Sequence, residues 1–114
     1  MSLDVFSLKR SLALVTGSSQ GIGLAIAEGL AGAGARVILN GRDSAKLAEA
    51  RAALAAKGHE VTAAAFDVTD ESAVDAAIAG IEKNEGAISI LVNNAGMQFR
   101  APLEDFPAGK WREL

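Results

Sequence analysis

Residues 12–23 read LALVTGSSQGIG, a short apolar run that passes directly into a segment with three glycines. An apolar run that does not alternate with polar residues is typical of a parallel strand buried on both faces. Beyond the glycines, helical spacing predicts one core-facing stripe formed by Ile22, Ala25, Ile26, Gly29, Leu30 and Ala33. The stretch therefore predicts a strand, a glycine turn and an amphipathic helix.

This junction has the properties of an anion-binding site. The first N–H groups of a helix lack backbone partners, the helix dipole adds partial positive charge, and glycine allows a phosphate to approach closely. The spacing Gly17-x-x-x-Gly21-x-Gly23 differs from the common G-x-G-x-x-G fingerprint. Glycines alone would also suit a purely structural turn. The strand before them and the helix after them favour a dinucleotide pyrophosphate site.

The rest of the sequence alternates strand and helix patterns. Strands are predicted over residues 36–40, 60–66 and 88–92, with Asp43 or Ser44 and Thr69 or Asp70 as helix caps and a further helix from Pro107. This alternation predicts an α/β fold: a Rossmann-type doubly wound parallel sheet whose first four strands run in the order 3-2-1-4, with flanking helices. The ligand crevice is then expected between strands 1 and 4.

Composition narrows the class of protein. The chain has 114 residues, half of them apolar, so one domain with an aliphatic core is expected. A net charge of −3 gives no reason to expect binding to nucleic acid or to a membrane surface. There is no cysteine, and no metal site is predicted. Because the first ten residues lack the layout of a signal peptide and no apolar run could span a bilayer, a cytoplasmic location is expected.

Two motifs carry a family resemblance. Residues 16–23, TGSSQGIG, resemble the T-G-x-x-x-G-[IL]-G signature of the short-chain dehydrogenase/reductase family. Residues 93–96, NNAG, resemble a second sequence motif of the same family. The resemblance implies an oxidoreductase that transfers hydride between a nicotinamide cofactor and a carbonyl or secondary alcohol of a small-molecule substrate. It also implies a homo-oligomer, a tetramer or dimer, for the complete protein.

The end of the second strand bears on the choice of nucleotide. In this family an acid that binds the ribose 2′-OH of NAD belongs at the position of Gly41, which has no carboxylate. The neighbouring Arg42 could bind a 2′-phosphate with its planar guanidinium. NADP is therefore predicted over NAD. The alternatives are that Arg42 is a solvated surface residue and that Asp43 reaches the ribose, although Asp43 also suits a helix cap.

Further cofactor contacts follow from the resemblance. Asp67 and Val68 match the acid and its neighbour that contact adenine, the alternative being that Asp67 is a turn or cap residue. In the second motif, Asn93 is expected to tie the loop to a neighbouring strand, and the following residues are expected to face the cofactor. The complete predicted cofactor set is Gly17, Ser18, Ser19, Gln20, Gly21, Ile22, Gly23, Asn40, Arg42, Asp67, Val68, Asn94, Ala95 and Gly96.

The sequence after the second motif bears on the substrate. Residues 97–111 resemble the branch of the family that interconverts gluconate and 5-ketogluconate, which implies a sugar acid as substrate. Gln98 and Arg100 could present an amide and a cation to it, or could be surface residues. A 3-oxoacyl reductase or another reductase of the family is the alternative enzyme, and a non-catalytic nucleotide-binding module is the alternative of another class.

The catalytic residues of the family have no counterpart here. Members use a Ser and a Tyr-x-x-x-Lys pair, in which the tyrosine is the general acid or base. This sequence contains no tyrosine and ends before the expected position of the pair. Residues 1–114 are therefore expected to be the N-terminal cofactor-binding half of a single Rossmann domain without its catalytic half. Alone, this piece is expected to be inactive, and none of its residues is predicted to be catalytic.

Overall fold

The computed structural model describes residues 8–94, and within them seven elements alternate along the chain. They are β1 (Leu12–Val15), α1 (Gly21–Gly32), β2 (Arg36–Gly41), α2 (Ser44–Ala56), β3 (Val61–Ala65), α3 (Glu71–Asn84) and β4 (Ile90–Val92). The predicted β-α-β-α-β-α-β order is confirmed. The helix predicted from Pro107 lies outside the described residues.

The four strands form one sheet in the order β3-β2-β1-β4, and all three neighbouring pairs are parallel. In the middle of the sheet, Leu14 of β1 is aligned with Ile38 of β2 on one side and with Leu91 of β4 on the other. The predicted strand order is confirmed. Because the order reverses between β1 and β4, the loops after these two strands diverge and open a crevice at the carboxyl edge of the sheet.

Helices cover both faces of the sheet. Successive residues of β1 point to opposite faces, so Ala13 and Val15 pack with α1 and α2, whereas Leu12 and Leu14 pack with Ile81 of α3. Strands β1 and β2 are consequently buried along nearly their whole length. This two-sided burial explains why their sequences read as continuous apolar runs.

The predicted buried stripe of α1 is only partly correct: its Ile26 and Leu30 pack against the core, but none of its members is among the buried residues of the helix. Gly23, Ala27 and Ala31 are the buried residues, spaced by four, whereas Ile22 is 74% exposed. The helix meets the sheet through its smallest residues, which let the two backbones approach closely. Larger residues of the helix, Leu24 among them, pack around the margin of that contact. Residue size, more than hydrophobicity, sets the orientation of α1.

Strand β4 begins at Ile90, two residues later than the sequence pattern predicts. The residue before it, Ser89, still binds β1: its N–H donates to the Leu12 carbonyl at 2.9 Å, and its hydroxyl accepts from the Leu12 N–H at 3.0 Å. A side-chain oxygen thus replaces a backbone carbonyl where the hydrogen-bond ladder between β1 and β4 starts.

Within residues 8–94, no helix is long and apolar enough to cross a membrane. The cytoplasmic location stays a prediction.

Candidate nucleotide-binding site

The loop between β1 and α1 has the backbone of an anion-binding turn. Gly17 and Gly21 have φ angles of 59° and 63°, in the left-handed region that side chains disfavour. The helix starts without the usual side-chain cap, because Gln20 makes no capping hydrogen bond, and its first turn holds no acidic residue. The positive end of α1 is therefore not neutralised by the residues at its own start, and it faces the crevice side of the loop.

Gly23 allows the helix to start so close to the loop. A Cβ atom on Gly23 would overlap the carbonyl oxygen of Gly17 and the side-chain nitrogen of Asn94. No other residue fits this position without moving the loop. The third glycine of the motif is thus required for packing, because it lets the N-terminus of α1 lie against both the glycine loop and the loop after β4.

Ser18 is fully buried and joins the glycine loop to β2. Its hydroxyl donates to the carbonyl of Val15 at 2.7 Å and accepts from the N–H of Asn40 at 2.9 Å. The N–H of Ser18 in turn donates to the carbonyl of Asn40 at 2.8 Å. The side chain predicted to contact the cofactor therefore has its hydrogen bonds within the protein, and its observed part is to hold the loop.

Asn40 joins the loop after β1 to the end of β3. Its side-chain oxygen accepts from the N–H of Gly17 at 3.1 Å, and its side-chain nitrogen donates to the carbonyls of Ala64 and Phe66 at 3.2 and 3.1 Å. The residue is 2% exposed. Since its amide is engaged at both ends, we interpret Asn40 as a residue that positions the site from beneath.

The two sequence motifs are linked directly. The N–H of Asn94 donates to the hydroxyl of Thr16 at 2.8 Å, and its side-chain nitrogen lies 3.3 Å from the carbonyl oxygen of Gly17. Assigning this structural tie to Asn93 was wrong, because Asn93 is exposed and Asn94 makes the contacts among the described residues. The register of the sheet explains the difference: Val92 pairs with Val15, which places Asn94 beside the glycine loop. A cofactor contact by Asn94 stays a prediction.

A pocket of about 350 Å³ opens beside the glycine loop, within the size range of ligand sites. Its walls come from the loops after β1, β2 and β3. Half of the predicted cofactor residues meet there, namely Gly17, Ser19, Gln20, Asn40, Arg42, Asp67 and Val68. The remaining described members lie under the loop or at the start of α1, and Ala95, Gly96, Gln98 and Arg100 lie outside the described residues.

Gly41 is a buried position beside Ser19. A Cβ on Gly41 would lie 3.2 Å from the Ser19 hydroxyl oxygen and 3.3 Å from its Cβ, which is tighter than an ordinary contact. A side chain here would require a small shift of Ser19. Because residue 41 is a glycine, the end of β2 presents no acid to the pocket, and the first charged side chain after it is that of Arg42.

Arg42 and Asp67 form an ion pair at the mouth of this pocket. The Nη1 atom of Arg42 lies 3.5 Å from Oδ2 of Asp67, and the arginine side chain is 76% exposed. The other oxygen of Asp67 accepts two hydrogen bonds from Thr69, 2.9 Å from its N–H and 2.6 Å from its hydroxyl. These hydrogen bonds, aided by Arg42, lower the pKa of Asp67. The carboxylate is thus ionised at neutral pH, with one oxygen in a turn and one toward the pocket.

Asp43 caps α2, as the sequence analysis predicts in preference to a contact with the ribose. Its Oδ1 atom accepts from the N–H groups of Ala45 and Lys46 at 3.0 and 3.1 Å. This oxygen of Asp43 is thus engaged in capping the helix. Two wall residues, Phe66 and Thr69, were missed by sequence reasoning. The sequence did contain a signal for Thr69: an Asp followed two residues later by Thr, as at residues 67–69, is typical of an Asx turn.

Comparison with known proteins agrees with this geometry. The short chain dehydrogenase family matches residues 11–114. The chain is 51% identical over 111 residues to gluconate 5-dehydrogenase of Gluconobacter oxydans, covering 97% of this chain and 43% of that protein. It is 42% identical over 111 residues to 5-keto-D-gluconate 5-reductase of Escherichia coli, covering 97% and 44%.

A solved structure shares the fold closely. Gluconate 5-dehydrogenase from Burkholderia cenocepacia, in complex with NADP and tartrate, superposes with a TM-score of 0.80 at 46% identity, covering 97% of this chain and 44% of that one. The chain thus spans less than half the length of the relatives it matches. The predicted Rossmann-type architecture is confirmed. Because the family match extends over nearly the whole sequence, this chain belongs to the short-chain dehydrogenase family.

Proposed function

We propose that this chain supplies the NADP-binding half of an oxidoreductase that transfers hydride between nicotinamide and the carbonyl or secondary alcohol of a sugar acid. The observation that carries the cofactor assignment is the end of β2. Gly41 packs against Ser19 with no acid present, and the cation of Arg42 stands at the pocket mouth. This arrangement suits a 2′-phosphate and offers no carboxylate at that position for a ribose 2′-OH.

The residues present fit such a cofactor. The uncapped start of α1 and the close approach allowed at Gly23 form a cradle for a pyrophosphate. Arg42 would hold the 2′-phosphate, and the pocket-facing oxygen of Asp67 would accept from the adenine amino group, with Val68 beside it. When bound, the nicotinamide ring supplies or accepts the hydride. The described residues bind and orient the cofactor, and proton transfer to the substrate is left to groups outside them.

The sugar-acid substrate is supported by the relatives that act on gluconate and 5-ketogluconate. We propose Gln98 and Arg100, an amide and a cation, as residues that face the substrate. Ala95 and Gly96 are proposed to lie against the cofactor. The complete protein is proposed to be a cytoplasmic homo-oligomer. Size-exclusion chromatography with light scattering tests its assembly.

Cofactor binding is tested by calorimetric titration of NADPH and NADH into the wild-type protein and Arg42→Ala. We expect NADPH to bind more tightly than NADH. Loss of the guanidinium should weaken NADPH about 10-fold or more, as for loss of a charge-assisted bidentate contact, and leave NADH within about 2-fold. Tighter binding of NADH by the wild type, or an unchanged NADPH affinity in Arg42→Ala, would contradict the assignment.

The reaction is tested separately, on the complete protein that contains this chain. NADPH oxidation is followed by absorbance with 5-ketogluconate and with a 3-oxoacyl thioester as substrates. We expect turnover with the sugar acid and much slower turnover with the thioester. The reverse preference would transfer the assignment to a 3-oxoacyl reductase. Cofactor binding without turnover of either substrate would instead indicate a nucleotide-binding module.

A further inference from the structure

A fixed negative charge stands next to the cation proposed to recognise the 2′-phosphate. Asp67 follows β3 and Arg42 follows β2, so the two side chains approach each other from neighbouring walls of the pocket. Their contact is a single one, 3.5 Å between Nη1 and Oδ2. The second carboxylate oxygen is held by both the N–H and the hydroxyl of Thr69. Asp67 is thereby anchored, whereas the highly exposed Arg42 has few constraints on its position.

We propose that Asp67 is a specificity-determining residue, which competes with the 2′-phosphate of the cofactor for Arg42 and so limits the preference for NADP over NAD. This inference rests on the proposed function, because it requires a dinucleotide in the pocket. It differs from the adenine contact also proposed for Asp67. That contact involves a part of the cofactor that NAD and NADP share, so it contributes equally to both affinities.

The same contact would have the opposite effect if Asp67 held Arg42 in position for the phosphate. The geometry disfavours it. An ion pair between side chains this exposed stabilises one conformation only weakly, and a single contact at 3.5 Å fixes the guanidinium poorly. Electrostatic repulsion acts in the other direction. A phosphate monoester carries between one and two negative charges at neutral pH, and a carboxylate within a Debye length opposes its binding.

The adjoining carboxylates provide a charge-matched comparison. Asp70 lies in the same loop and caps α3 by accepting from the N–H of Ala73 at 3.1 Å, whereas the ion pair of Arg42 is with Asp67. Replacing it with asparagine removes the same charge from nearly the same region. Only the Asp67 replacement also releases Arg42.

The experiment measures the dissociation constants of NADPH and NADH by calorimetry for the wild type, Asp67→Asn and Asp70→Asn. The readout is the ratio of the NADH constant to the NADPH constant, in which any loss of the shared adenine contact cancels. We expect Asp67→Asn to raise this ratio about 3- to 10-fold, as removal of one nearby charge and one weak ion pair predicts. Asp70→Asn should change it less than 2-fold. Asp67→Ser, which also lacks the charge, serves as a second variant if asparagine impairs folding.

The same substitution in the Arg42→Ala background isolates the competition. Without the guanidinium only direct repulsion remains, so Asp67→Asn should there change the ratio by less than half of its effect in the presence of Arg42. An unchanged or lowered ratio in Asp67→Asn overturns this inference, and a lowered one indicates that Asp67 positions Arg42. Failure of the wild type to bind either dinucleotide would instead overturn the proposed function.

Discussion

The side-chain oxygen of Asn40 accepts a hydrogen bond from the N–H of Gly17 at 3.1 Å, so the buried end of β2 supports the loop that follows β1. The nitrogen of the same amide donates to the carbonyls of Ala64, within β3, and of Phe66, just after it. One side chain on β2 thus couples the loop after β1 to the end of β3, on the edge of the sheet where the cofactor is proposed to bind. The geometry of the site therefore depends on the hydrogen bonds of the Asn40 side chain.

Asn40→Ala is therefore expected to be among the more destabilising substitutions in the chain. It removes three hydrogen bonds and leaves their backbone partners to find others, which should lower the free energy of unfolding by roughly 2–4 kcal/mol. Urea unfolding followed by circular dichroism measures the loss. Asn84→Ala is the control, because Asn84 is exposed at the end of α3 and should change stability by less than about 0.5 kcal/mol. Equal stability of the two variants would contradict the supporting role of Asn40.

Two glycines of α1 give a matched pair for the close packing of the helix. Gly23→Ala places a Cβ on the Gly17 carbonyl and on Asn94, so we expect a loss of roughly 2–4 kcal/mol in stability and of most nucleotide binding. Gly29→Ala meets nothing within 4 Å and should stabilise the protein by about 0.5–1 kcal/mol through helix propensity. Thermal unfolding separates them. A tolerated Gly23→Ala would show that the loop and the helix can separate.

The fold was predictable because its signals are local and strong. The apolar runs of β1 and β2, the caps Asp43 and Asp70, and the glycine turn follow from neighbouring residues, and the strand order follows from connection rules. The face that α1 buries was not predictable from hydrophobicity. There the sheet selects the small residues Ala27 and Ala31 over the larger Ile22, and that selection depends on how closely two backbones approach.

The site was predictable as a set of loops and less so as a set of roles. Ser18 and Asn40 were expected at the cofactor, yet their side chains bind backbone groups of the protein. Asn94 was separated from Asn93 only by the register of β4 on β1. Partners such as Asn40 and Phe66 are 26 residues apart. Such contacts arise only when the sheet aligns the strand ends, so spacing within the sequence carries no sign of them.

The tight contact between Gly41 and Ser19 predicts energetic coupling between the two positions. Gly41→Ala should lower the free energy of unfolding by about 1–2 kcal/mol, since the new methyl group would lie 3.2 Å from the Ser19 hydroxyl. Removing that side chain with Ser19→Gly should recover at least half of the loss. A double-mutant cycle by urea unfolding measures the interaction. Additive effects of the two substitutions would show that Ser19 moves aside at no cost and does not exclude a side chain at residue 41.

The titration of Asp67 should reveal which neighbour controls its charge. Hydrogen bonds from the hydroxyl and N–H of Thr69 lower its pKa more than Arg42 does. NMR of the side-chain carboxyl carbon should thus find the pKa of Asp67 below the ordinary aspartate value of about 3.9. The substitution Thr69→Val should raise this pKa more than Arg42→Ala does. Because the folded pKa is lowered, the carboxylate stabilises the fold above about pH 4, and this contribution is lost as the pH falls through the folded pKa. Asp67→Asn should therefore lose less stability than the wild type on acidification below pH 4. A larger rise in Arg42→Ala than in Thr69→Val would show that the ion pair, and not the turn, keeps Asp67 ionised.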